Sequence, residues 1–80
     1  SNSGTLYIVD QSNHRVMSYP FGATSGTVVA GGNGPGLATN QLDLPVGVFF
    51  HAPSNSLFIA NANNNNIVQW VIGASTGTVV

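Results

Sequence analysis

Apart from its tyrosines, the chain carries its ionisable chemistry on Asp10, His14, Arg15, Asp43 and His51. Asp10 and Arg15 are the only oppositely charged near neighbours, set on either side of a short polar break in apolar sequence. Such a pair could hold a ligand, because a carboxylate and a guanidinium together offer a strong acceptor and a forked donor. It could equally close a turn, with the carboxylate accepting turn amides while it pairs with the guanidinium. His14, His51 and Asp43 raise the question of a metal. Zinc asks for three or four convergent nitrogen, oxygen or sulfur ligands, and calcium for six or more oxygens. The three residues share no metal-binding spacing, which leaves His14 as a surface turn histidine and predicts no metal and no cofactor. Two Asp, no Glu and no Ser-His-Asp arrangement are thin material for acid–base or nucleophilic catalysis, so no catalytic residue is assigned. With no Cys, disulfides and thiolate zinc sites are excluded.

The glycine-rich stretch AGGNGPGLATNQLDLP, residues 30–45, resembles a phosphate cradle only superficially. It lacks the Lys-Ser/Thr of a P-loop and any following helix. It reads as a flexible connection, and its length makes it a place for binding. Asn2 and Asn55 each precede a serine, but neither forms an N-glycosylation sequon.

Only 4% of the residues are Asp, Glu, Lys or Arg, against about 25% in an ordinary soluble domain. One Arg and no Lys exclude nucleic-acid binding through phosphate contacts and binding to an anionic membrane surface. No apolar run approaches the roughly 20 residues of a membrane span, and the opening SNSGTLYIVD is not expected to be a signal peptide. Solubility rests on Asn, Ser, Thr, Gln and Gly. That palette suits a surface meeting carbohydrate, or a protein packed into an assembly, and points to an extracellular or cell-surface setting.

These residues are positioned by a duplication. LYIVDQSNHRVMSYPFGATSGTVV, starting at Leu6, aligns with LFIANANNNNIVQWVIGASTGTVV, starting at Leu57, without a gap at a displacement of 51. Identities include Leu6/Leu57, Ile8/Ile59, Asn13/Asn64, Gly22/Gly73, Gly26/Gly77 and Val28/Val79, and Tyr19 faces Trp70 in the alignment. Asp10 and Arg15 align with Asn61 and Asn66, so both charges are lost together and the ionic pair is rewritten in amides. Joint loss favours the structural turn pair, since losing one partner alone would strand a partly buried charge. The run of asparagines between residues 61 and 66 thereby becomes a hairpin turn, where Asn tolerates left-handed geometry.

The unit is all-β. Strands are predicted at residues 6–9, 16–21, 27–30, 46–50, 57–60, 67–72 and 78–80, each bounded by Gly, Pro, Asn or Ser. Near-continuous apolar runs predict sheets buried on both faces. Three strands, a loop and four strands fit four-stranded antiparallel meanders repeating every ~40–50 residues, as in β-propeller blades. On this division residues 1–30 are three outer strands of one blade, 31–45 the inter-blade loop, and 46–80 a complete blade.

The spellings QLDLPVGVFF and TLYIVDQSNHRV resemble NHL repeats, a class of β-propeller blade. Gln41, Leu42, Pro45, Gly47 and Val48 match the first part of that pattern, and Leu6, Tyr7, Ile8, Asp10, Asn13, Arg15 and Val16 the second. His51 departs from it, standing where the family usually has Asp at the end of the first strand, and would be the channel-facing residue. The resemblance implies an incomplete ring. Fewer than two blades cannot close one, so further blades in cis or copies of the chain must complete it. It also implies a non-enzymatic scaffold or interaction module, with protein or carbohydrate as partner. Two other roles fit: part of a propeller enzyme of the metal-assisted lyase or lactonase type, or a self-assembling extracellular fibre subunit.

Overall fold

The computed structural model describes residues 4–80. They are mostly β and build two antiparallel sheets. The first contains β1 (Leu6–Asp10), β2 (Arg15–Tyr19) and β3 (Thr27–Gly31). The second contains β4 (Pro45–His51), β5 (Ser56–Asn61), β6 (Asn66–Val71) and β7 (Thr78–Val79). Every strand pairs with its neighbour in sequence, so each sheet is a meander.

Three tight turns of one pattern join these strands. Residues 11–13, 52–54 and 62–64 each make a single 3-10 turn. The next residue, His14, Asn55 or Asn65, adopts the left-handed conformation at φ 54°, 50° or 55° and donates its N–H back to the carbonyl three residues earlier. Asn fills two of the three positions because its short amide makes that conformation accessible to a residue with a Cβ. His14 and Asn65 lie 51 residues apart, so the repeat is conserved in backbone geometry as well as in letters.

Several strand ends differ from the sequence prediction. The second strand of each unit was expected to reach Phe21 and Ile72, but β2 ends at Tyr19 and β6 at Val71. Pro20 has no N–H to give to the ladder, and the chain turns there, with the Ala23 N–H bonded to the Pro20 carbonyl. Phe21 is consequently thrown outward, 91% exposed. β3 runs one residue further, to Gly31, and β4 begins one residue earlier, at Pro45.

The glycine-rich connection is also no loose tether. The Asn33 Nδ2 donates to the Asn40 carbonyl at 2.7 Å, and the Gln41 Nε2 donates to the Asn33 carbonyl at 3.1 Å. The Gln41 Oε1 accepts from the Ala38 N–H at 3.1 Å, and Leu42 is fully buried. These bonds brace the connection internally, and the Gly77 N–H, donating to the Thr39 carbonyl at 2.8 Å, ties it to the approach to β7.

Strand pairing fixes which side chains share a face. In the second sheet Leu57 is opposite Trp70 and Phe50, Ile59 opposite Val68 and Val48, and Asn61 opposite Asn66. This face packs on Tyr7, Val9, Val16 and Ala30 of the first sheet, with Tyr7 stacked on Phe50 at a ring separation of 5.3 Å. The core is therefore the seam between the sheets. Each sheet also repeats one packing device, on its free face in the first and in the seam in the second: a Cβ at Gly26 would fall 2.6 Å from the Tyr19 ring, and one at Gly77 only 2.5 Å from the Trp70 ring. Each glycine lets its chain pass beneath the aromatic of its own unit.

The outward faces are another matter. Leu6, Ile8 and Val28 on the first sheet, and Phe49, Ile67 and Val71 on the second, are exposed. Burial on both faces, expected from the apolar runs, holds within the chain for one face of each sheet only.

Candidate functional site

The Asp10 carboxylate closes its turn through a single oxygen. Its Oδ2 accepts from the Arg15 Nε at 2.8 Å and from the Asn13 Nδ2 at 3.0 Å. β1 ends at Asp10 and β2 begins at Arg15, and the two residues are paired across the ladder, so the 3-10 turn between them sets the distance. The hydrogen bond from Asn13 and then the Arg15 guanidinium hold the Asp10 carboxyl below its ordinary value of 3.8. A depressed folded-state value contributes stability above the unfolded value, and that contribution is lost as pH falls through the folded one. In an NMR titration the Asp10 side-chain carboxyl carbon is expected to show a midpoint below 3.8, moving upward in Asn13→Ala. A midpoint at or above that value in the unaltered chain would contradict the geometry.

Asn61 and Asn66, the aligned residues, do not pair with each other in the same way. Asn61 is only 2% exposed, and its Oδ1 accepts the backbone N–H of Asp43 at 2.7 Å. The Asn63 N–H in turn donates to the Asp43 carbonyl at 3.1 Å. The second turn therefore grips the segment entering β4, a role the sequence comparison did not reveal. Asn66 keeps a buried Oδ1 that has no hydrogen-bond partner among the described residues.

His14 stands in the turn, as expected from sequence, but its side chain is partly buried and not free at the surface. Its ring lies between the first turn and the entry to β4, where Nδ1 accepts the Leu44 N–H at 3.1 Å and stands 3.8 Å from the Asp43 Oδ1. Nδ1 being an acceptor, the neutral ring carries its proton on Nε2. Leu44 is itself left-handed, at φ 51°. Asp43 and Leu44 are thus held from both sides, by Asn61 in the second unit and His14 in the first. The signal was unavailable in sequence because the contact joins residues 30 apart.

His51 ends β4 on the outward face of the second sheet, its ring edge-on to Phe58 at 5.7 Å and its Nδ1 2.8 Å from the Ser54 Oγ. It is not gathered with His14 and Asp43. Among the described residues no three His, Asp or Glu side chains converge as a metal site would need. His14 and Asp43 form a dyad, but Leu44 already occupies the imidazole nitrogen that faces it. What the arrangement does chemically is to fix backbone: the side chains of His14 and Asn61 and the backbone N–H of Asn63 hold the crossing from one sheet to the next, beside the buried Leu42. No family model matches this chain, and neither a curated protein nor a solved structure does so.

Proposed function

We propose that the chain is a segment of an NHL-type β-propeller that serves as a non-enzymatic scaffold, completed by further repeats of its own kind in cis or in copies. One observation carries this reading. Displaced by 51 residues, the exposed face of the first sheet (Leu6, Ile8, Asp10, Arg15, Tyr19) becomes the buried face of the second (Leu57, Ile59, Asn61, Asn66, Trp70). The exposed Ile67 and outward Phe58 of the second sheet likewise align with Val16 and Tyr7, which are inward on the first. The two free faces are therefore the two halves of the seam already formed inside the chain. An interface built from two different surfaces is heterologous and propagates head to tail, into a ring where the rotation closes and a filament where it does not. Scarce charge leaves little repulsion to oppose such stacking, and suits an extracellular setting.

Sedimentation of the isolated chain tests the reading. The unaltered chain is expected to form species larger than its 8.2 kDa monomer. Ile8→Lys and Phe49→Lys each spoil one free face and should be monomeric alone. Mixed, they should give a dimer that does not grow, because each retains the face the other lacks. A folded, concentration-independent monomer of the unaltered chain would overturn the proposal.

A further inference from the structure

Where the second unit replaces the Asp10–Arg15 pair with Asn61 and Asn66, the structure holds a cavity of about 250 Å³. Its walls come from the braced connection at residues 37–41, from the asparagine turn, and from β6 and β7. Asn61, Asn64 and Asn66 contribute amides, Thr39 and Thr78 hydroxyls, and Val68 an apolar floor. No ionisable side chain lines it.

Two of the three amides are held by hydrogen bonds. Asn64 donates its Nδ2 to the Gly36 carbonyl at 3.0 Å and keeps Oδ1 as an acceptor. Asn61 gives Oδ1 to the Asp43 N–H and keeps Nδ2 as a donor. Asn66 has a buried Oδ1 without a partner among the described residues, and such a group in a native fold calls for a donor. A lining of amides and hydroxyls set among the apolar side chains of Leu37, Val68 and Val79, without charge, discriminates against ions and matches a molecule with several hydroxyls, each at once donor and acceptor, on a carbon frame.

We propose that this cavity binds a small neutral polyhydroxylated ligand of monosaccharide size, recognised by the amides of Asn61, Asn64 and Asn66. The site is built entirely within this chain and does not depend on how the repeats are completed. In the first unit the same wall positions carry Asp10, Asn13 and Arg15, whose ion pair would occupy the space and replace the neutral lining with charge. The loss of both charges in the second copy is thereby given a use as well as a tolerance.

The test is an NMR titration of the ¹⁵N-labelled chain with glucose, galactose, mannose and N-acetylglucosamine in turn. At least one sugar is expected to give saturable shifts centred on the side-chain amides of Asn61, Asn64 and Asn66 and the backbone at residues 37–41. The same sugar should raise the melting temperature with concentration, as a ligand of the native state must. The double variant Asn61→Asp/Asn66→Arg, which restores the residues of the first unit, should lose both effects. Val79→Trp, at an exposed position on the rim, should lose them too and decides the matter if the double variant does not fold. Absence of a saturable shift with every sugar, or shifts that survive Val79→Trp, would overturn the proposal.

Discussion

Leu57→Ala is expected to destabilise the chain by about 2–5 kcal/mol, whereas Leu6→Ala, at the aligned position, should change it by no more than about 0.5 kcal/mol in the monomer. The two leucines have the same place in the repeat and the same ladder pairing, opposite Trp70 and Tyr19 respectively. Only their surroundings differ. Leu57 is fully buried in the seam between the sheets, while Leu6 is 59% exposed on the free face. Truncating Leu57 removes transfer free energy and leaves a cavity beside Trp70 and Phe50 that relaxation closes only in part. A chain of this length holds on the order of 4–12 kcal/mol in all, so the loss is large and the melting point should fall by roughly 8 °C or more. The comparison also reports on assembly. If copies cover the first sheet's free face, the effect of Leu6→Ala should grow with protein concentration until it approaches that of Leu57→Ala. Denaturant midpoints measured across a concentration series read both effects. A Leu57→Ala chain as stable as Leu6→Ala would show that the seam is not the core.

Much of this architecture is written locally and was legible for that reason. The displacement of 51 residues, the seven strands and the polar turn between residues 61 and 66 follow from short-range patterns that need no knowledge of the fold. Strand ends were less legible, because apolar character continues through Phe21 and Ile72, past Tyr19 and Val71 where the strands end. The character of the connection was hidden for a different reason. Glycine and proline suggested slack, but the bracing comes from Asn33 and Gln41, whose partners could not be named before the loop was closed. His14 illustrates the same limit: its ring is held by Leu44 and stands near Asp43, which a turn read in isolation does not contain. Long-range polar contacts leave no period in the sequence. That is why the candidate site was harder to see than the sheets that carry it.

The aligned pairs make a cycle whose outcome is sharply different for its single and double members. Asn61→Asp alone is expected to destabilise the fold at neutral pH by about 3–5 kcal/mol, the range for a buried charge left without a partner. Asn61 is 2% exposed, and the new carboxylate would have one backbone N–H, from Asp43, and no cation. Burial raises the folded-state value of such a carboxyl. The penalty is then absent below about pH 4, where the group is neutral in both states, and grows as pH rises from the unfolded value toward the raised folded one. Stability curves measured from acid to neutral should therefore diverge from those of the unaltered chain upward from that point. Asn66→Arg supplies the cation from the adjacent strand, in the register that brings Arg15 to Asp10. The double variant should recover most of the loss at neutral pH, giving a coupling energy well above the few tenths that independent sites show. A single variant no less stable than the unaltered chain at pH 7 would mean that position 61 is more open to water than its geometry indicates. Full additivity of the two changes would mean that the ion pair cannot form in the second unit. Either result would break the physical link between the paired loss of charge and the structure of the repeat.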